Sequence, residues 1–506
     1  MIDPSEVSSR VARGAMWMVM LRVAMRGFSV VSQLILVRLL TPADFGLAAA
    51  SSAASAILDG LTETSMGLAL VQMRDPKPYH YRAAWTLIVL RGLLVGVMLW
   101  AIAPVMAGYL RDPRVEDIMR VLAFVPMLQG FESIGIIRLQ RELRFNRIFV
   151  YQLLNKGLVF IIALSLVFAY HNYWALVLGG VCAKMVMVPL SYVIAPSRPG
   201  FSLRGISDMF NFSKLLLITN FLTMADTFMI PMIMGRIGTL RDVGVYQVCR
   251  DLASLPASEI AAPIRGPMYA GFARVAHDAR ILRYQLLTGI GLLIMVIVPM
   301  SFGIAVTAPY IVPVALGPQW AGAEPILALA AMYALFDAIG HASGGVYLVR
   351  NAQAPYVRIM AGCVFLRLSL VVPAAMMFGL SGAMSMMVLT AILNAYLWFN
   401  RLLPLVGLVW RDMTRVVWRS FAAAGVMVVV VALASLEWPR SQIQVTLLLQ
   451  WVAMSALGAV VHIVTQYVLW RLFGGNSGPE SLVIRKVGQR LSTILGRSQA
   501  SRRPAE

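Results

Sequence analysis

Long apolar runs separated by short polar turns set the pattern of this chain. A helix that crosses a bilayer needs about 20 mostly apolar residues. Fourteen stretches meet that length: 14–40, 45–71, 83–107, 116–137, 149–170, 173–194, 212–234, 243–270, 285–308, 325–349, 357–378, 382–400, 416–436 and 444–470. Turn chemistry punctuates them at Thr41-Pro42, Asp75-Pro76, Asp112-Pro113, Pro196 to Pro199, Gly317-Pro318 and Trp438-Pro439. The first run is longer than the apolar core of a secretory signal and carries Arg22 and Arg26 in its middle, so it reads as a first span. No loop between spans is long enough for a soluble domain. The pattern predicts an all-α polytopic membrane protein.

Composition agrees. Of 506 residues, 59% are hydrophobic and 13% charged, against roughly 25% charged in a soluble domain. Cytosolic enzymes, disulfide scaffolds, coiled coils and disordered chains are excluded together. The net charge of +20 would suggest nucleic acid in a soluble protein. Here its distribution explains it. With the N-terminus inside, the inner loops hold roughly 27 Lys and Arg and the outer ones about 5. Arg138, Arg141, Arg144 and Arg147 form the densest inner group. This bias places both termini in the cytoplasm and predicts no nucleic-acid partner.

An internal repeat is visible. Arg38-Leu-Leu-Thr41-Pro-Ala-Asp44-Phe-Gly46 ends span 1, and Arg236-Ile-Gly-Thr239-Leu-Arg-Asp242-Val-Gly244 ends span 7. Six spans separate the copies, so they share an orientation. The expected organisation is a cytoplasmic N-terminus (1–13), an N-lobe (14–205), a C-lobe (206–405), two added spans (406–473) and a basic cytoplasmic tail (474–506).

Charges at membrane depth cost at least about 2.5–3.5 kcal/mol each and mark cavities or partners. Span 1 aligns Arg22, Arg26, Ser29 and Gln33 on one helical stripe. Span 2 aligns Ser52, Ser55, Asp59, Thr62 and Glu63; span 7 aligns Asn220, Thr223, Asp226 and Thr227; span 8 offers Gln247, Arg250, Asp251, Ser254 and Ser258. These four faces are expected to line one central cavity. Basic groups exceed acidic ones inside the spans, which suggests a visiting anion, and planar guanidinium groups suit phosphate or pyrophosphate. The expected ligand-binding set is Arg22, Arg26, Gln33, Arg91, Asn220, Arg250, Arg265 and Arg367. Asp226, Asp59, Glu63 and Asp337 are expected to couple transport to an ion, H+ or Na+; fixed Arg–Asp pairs that only hold helices together are the competing reading. Pro256 and Pro267, in a proline cluster across spans 7 and 8, are expected to let helices bend.

No catalytic triad, phosphate-binding loop or metal spacing is present, so the chain reads as a transporter and not an enzyme, without a cofactor. Cys182, Cys249 and Cys363 lie singly in apolar runs.

The segment Leu36-Val-Arg38-Leu-Leu-Thr41-Pro42-Ala-Asp44-Phe45-Gly46 resembles the signature of bacterial polysaccharide-export flippases. So do Asp226-Thr-Phe-Met-Ile, Gly235-Arg236, Gly244-Val-Tyr246 and Leu255-Pro256-Ala-Ser-Glu259-Ile with Pro263 and Pro267. These belong to the multidrug/oligosaccharidyl-lipid/polysaccharide exporter superfamily, and the resemblance covers roughly residues 10–470. It implies a two-lobed, MATE-like fold plus two extra helices, opening alternately to each side. It implies an undecaprenyl-pyrophosphate-linked oligosaccharide as cargo, for exopolysaccharide, capsule or O-antigen assembly at a bacterial inner membrane. Membrane lipids, a polysaccharide polymerase and a chain-length regulator are the associated partners. A lipid II flippase and a cation-coupled drug antiporter are rival readings, and a membrane polymerase or glycosyltransferase a more distant one.

Overall fold

The structure is a computed structural model that describes residues 25, 27–62, 70, 73, 76–142, 144–204, 214–258, 268, 271–272, 274–275, 277–342, 344–350, 352–441, 443–473 and 480–481. Those residues form helices and connecting turns, with no strand among them. In chain order the helices are α1 (Gly27–Leu39), α2 (Pro42–Thr62), α3 (Pro78–Leu110), α4 (Arg114–Leu122), α5 (Phe124–Gly130), α6 (Gly135–Arg141), α7 (Phe145–Tyr170) and α8 (Trp174–Ile194). There follow α9 (Lys214–Ile237), α10 (Leu240–Ala253), α11 (Ala279–Ile311), α12 (Glu324–His341), α13 (Gly344–Val349), α14 (Gln353–Val406), α15 (Trp410–Glu437) and α16 (Gln444–Phe473).

Each of the fourteen expected spans overlaps a described helix. By length and hydropathy, 8 described helices can cross a membrane, or 9 when Arg114–Gly130 and Gly135–Arg141, bent by 56°, are taken as one broken span. Part of the difference lies in α14. Its 54 residues would extend about 80 Å if straight, far beyond the roughly 30 Å of bilayer core. The helix instead doubles back at Gly379, whose φ of 62° and ψ of −149° are open only to glycine. Two contacts fix the reversal. The Tyr356 and Trp398 rings lie 4.7 Å apart, and Arg367 Nη2 donates to the Asn394 amide oxygen at 3.1 Å. The expected spans 357–378 and 382–400 are therefore the two arms of one hairpin.

The chain divides into two compact units. The first comprises Met1–Val248 with Ala315–Trp320 and Val372–Leu380; the second holds the remainder. In the first unit α7 and α8 form an antiparallel pair, α3 packs on α4 and α5, and α2 packs on α9. Phe131–Ile134 break the helical run between α5 and α6. The break leaves Ser133 buried with its N–H accepted by Ser191 Oγ at 2.9 Å, so that an interrupted backbone inside the protein still has a partner. In the second unit α11 packs on α12, α15 and α16, and α15 pairs with α16.

Candidate functional site

The two copies of the repeat fold alike. Thr41 N–H and Oγ1 donate to Asp44 Oδ2 at 3.1 and 2.6 Å, and Asp44 N–H returns to Thr41 Oγ1 at 3.3 Å. Thr239 N–H and Oγ1 donate to Asp242 Oδ2 at 2.9 and 2.7 Å, and Asp242 N–H returns to Thr239 Oγ1 at 3.2 Å. Each motif is a reciprocal cap: it satisfies backbone donors at a helix start and sets a carboxylate against the positive end of the helix.

The capped ends of α2 and α10 meet backbone to backbone within the first unit. A β-carbon on Gly46 would collide with Leu240 O and Gly244 N; one on Gly244 would collide with Pro42 O and Gly46 N. Pro42 and Leu240, and Gly46 and Gly244, hold matching places in the two copies. The contact is therefore reciprocal, as a two-fold relation between the copies requires. The arginines match as well. Arg38 Nε donates to Ala315 O at 3.4 Å, in the turn after expected span 9. Arg236 Nη1 donates to Tyr109 O at 3.1 Å, at the end of expected span 3. Trp320 Nε1 closes the end of α1 by donating to Val37 O at 3.0 Å. This crossing lies at the Leu110 end of α3, whereas Arg138 and Arg141 sit at its Pro78 end. The crossing thus occupies the face opposite the basic loops.

Two expected ligand-binding arginines face two expected coupling carboxylates. On the first unit, Arg91 Nη2 lies 3.3 Å from Asp59 Oδ1 and donates to Asp59 O at 2.8 Å, while its Nε donates to Thr62 Oγ1 at 3.2 Å. On the second, Arg367 is 3% exposed and lies 3.6 Å from Asp337 Oδ1. Its Nη1 donates to Tyr333 Oη at 2.8 Å, and the guanidinium carbon stands 5.1 Å from the Tyr333 ring. Asp337 also faces His341 at 3.6 Å. Gln33, on α1, and Asp226, on α9, are half-buried, as is Arg250 on α10, and each has an interaction partner. Asn220 is half-buried on α9. Pro256 is buried three residues past the end of α10, where the helix breaks at Ser254. Arg22, Arg26, Glu63, Arg265 and Pro267 lie outside the described residues.

One half-buried cluster was not in the expected set. Glu132, in the break between α5 and α6, accepts from Lys184 Nζ at 2.6 Å and from Tyr151 Oη at 2.7 Å. Glu132 and Lys184 are charges inside the expected spans 116–137 and 173–194, but the sequence gives no sign of Tyr151. A tyrosine on an apolar helix looks like packing until its neighbours are known. Among the described residues no group of His, Cys, Asp and Glu could hold a metal ion.

A family of polysaccharide biosynthesis proteins matches residues 35–325, more than half of the chain, and takes in both capped repeats. The chain belongs to this family. Its similarity to curated relatives is spread over much of its length. It is 25% identical over 338 residues to the succinoglycan biosynthesis transport protein ExoT of Rhizobium meliloti, covering 65% of this chain and 67% of that one. It is 22% identical over 422 residues to the lipopolysaccharide biosynthesis protein WzxC of Escherichia coli, covering 81% and 84%. Among solved structures, the lipid II flippase MurJ in an inward closed conformation superposes with a TM-score of 0.68 at 12% identity, over 90% of this chain and 99% of that one. An inward-facing multidrug transporter of the MATE family superposes with a TM-score of 0.57 at 14% identity, over 75% and 94%. This polysaccharide biosynthesis protein therefore has the MATE-like helical fold that its motifs implied.

Proposed function

We propose that this family member is a flippase that carries lipid-linked oligosaccharide repeat units across the bacterial inner membrane by alternating access. The observation that carries the reading is the reciprocal crossing of the two capped repeats. Each repeat presents a glycine to the backbone of the other, so this contact is either made in full or parted, and partial opening leaves polar helix ends unpacked. A two-position contact at one face is what alternating access needs. The family and the transport role named for its relative in Rhizobium support the cargo class.

In this reading the basic loops face the cytoplasm, both termini lie there, and the crossing closes the outer face. Arg22 and Arg26 hold the pyrophosphate, with Gln33, Asn220, Arg250 and Arg265 along the path. Arg91 and Arg367 start out neutralised by Asp59 and Asp337, so a phosphate that reaches them competes with a carboxylate. Asp226 is the first choice for ion coupling and Glu63 the second. Pro256 and Pro267 bend during the cycle. The chain acts beside a polymerase and a chain-length regulator and does no covalent chemistry itself.

The test is complementation. The chain is expressed in one strain lacking its polysaccharide-repeat flippase and in another depleted of its lipid II flippase. Restored polymer in the first alone supports the proposal. Rescue of the second alone identifies a peptidoglycan-precursor flippase instead, and rescue of neither at normal protein levels overturns the reading.

A further inference from the structure

At the basic end of α3 the first unit forms an open hollow of about 670 Å³, at the opposite end of that helix from the crossing of the repeats. Arg82 and Trp85 of α3, Arg138 and Arg141 of α6, and Ser197 and Arg198 of the segment after α8 line it. Three separate stretches of chain thus bring four guanidinium groups to one hollow.

The walls are stitched in place. Ser133 Oγ donates to Ala195 O at 2.5 Å and shares a hydrogen bond with Ser197 Oγ at 2.7 Å, which ties the break before α6 to the segment after α8. Ser202 N–H donates to Thr86 Oγ1 at 3.0 Å and lays the next residues along α3. Trp85, 6% exposed, and Tyr81 give the hollow an aromatic side. Arg141 is aimed by its own bonds: Nη1 donates to Met73 O at 2.7 Å and Leu70 O at 3.1 Å.

Among the described residues the charge is not balanced. Glu142 Oε1 takes Arg138 Nε at 2.7 Å, but its other oxygen takes Arg144 Nε at 2.9 Å, so one carboxylate serves two cations. Arg82 and Arg198 have no ion-pair partner among the described residues. A bias of positive loops toward one leaflet explains basic residues anywhere on this face. It does not explain a hollow of ligand size with an aromatic side and two guanidinium groups that have no ion-pair partner among the described residues.

We propose that this cavity binds the phosphate headgroup of a membrane amphiphile, with Arg82 and Arg198 as its principal contacts. Guanidinium groups recognise phosphate through paired N–H donors, and basic pockets between helices at this membrane level suit anionic headgroups. Two sources carry that chemistry: an acidic glycerophospholipid of the same leaflet, and a polyprenyl diphosphate awaiting transport.

The experiment measures binding to the purified full-length protein in a neutral detergent. The probes are short-chain phosphatidylglycerol, farnesyl diphosphate and, as control, short-chain phosphatidylcholine. The Arg82→Ala/Arg198→Ala variant is expected to lose at least about tenfold in affinity for the anionic phosphodiester or the diphosphate probe while its weak binding of the choline lipid stays unchanged. Arg82→Lys/Arg198→Lys keeps the charge and is expected to recover part of the loss. A loss confined to farnesyl diphosphate identifies a loading site; one confined to phosphatidylglycerol identifies a resident lipid; a loss of both identifies a shared phosphate site. Wild-type affinity for both anionic probes in the alanine variant, or no preference over the choline lipid in the wild type, overturns the proposal. Polymer restoration by the same variant is scored separately: unchanged binding with intact export removes the headgroup site and leaves the flippase reading standing.

Discussion

At the scale of single residues, partner geometry decides the role of each charge. Arg367 is buried against Asp337 and Tyr333. Removing one member of a buried pair strands the other, at a cost on the order of 3 kcal/mol. Arg367→Ala is therefore expected to melt well below the wild type in detergent, and Arg367→Ala/Asp337→Ala to regain part of the loss. A double variant less stable than the single would contradict the pairing. Asp112, in the turn between α3 and α4, gives a pH test. Its hydrogen bond to the Arg114 guanidinium, at 2.7 Å, holds the carboxyl below its ordinary value, and burial only partly opposes this. A depressed carboxyl stabilises the fold above its unfolded pKa of about 3.9 and loses that contribution as pH falls through the lower folded value. The melting gap between wild type and Asp112→Asn should be full at pH 6 and shrink below about pH 4. The charges themselves were legible in the sequence, because an ionised group in an apolar run stands out. Their partners were not. Asp59 and Arg91 are 32 residues apart on different helices, and only the rotation of each helix against its neighbour decides that they meet.

Among the helices, glycine carries two distinct loads. Gly379 sits at φ +62° at the tip of the α14 hairpin, where a β-carbon costs about 1–2 kcal/mol. Gly379→Ala should lower the melting temperature measurably with little change in folded helix content by circular dichroism. Gly46 and Gly244 serve close approach instead, each filling the space left by the other's helix. Gly46→Ala and Gly244→Ala are each expected to impair polymer export by prying the crossing open. Since both act on one contact, the double variant should lose less than the sum of the two; additive losses would argue for independent roles. The sequence displayed the recurring Thr and Asp of the repeat, and their three-residue spacing is what lets each pair cap a helix locally. It displayed the matching glycines too, but not that they touch, since that follows from how two distant helices cross. The hairpin was foreseeable from the apolar lengths on either side of Gly379. The break between α5 and α6 was not: the run reads as one span, and Ser133 finds its backbone partner, Ser191, 58 residues away.

For the whole molecule, apolar runs, a basic bias toward one face and a repeated motif led to a MATE-like membrane protein, and the fold and family agree with that reading. Charge patterning assigns Arg22 and Arg26 to the pyrophosphate in the proposed mechanism, and alanine at both is expected to abolish export with the protein at normal membrane levels. The central claim is that lipid-linked oligosaccharide changes leaflet through this chain. The direct measurement follows the orientation of radiolabelled lipid-linked repeat units in spheroplasts of a strain without its own flippase, using an enzyme or oxidant that cannot cross the membrane. With the chain expressed, a large fraction of the repeat units should become accessible from outside within minutes. Repeat units that stay protected, with the chain folded and abundant in the membrane, would contradict the account.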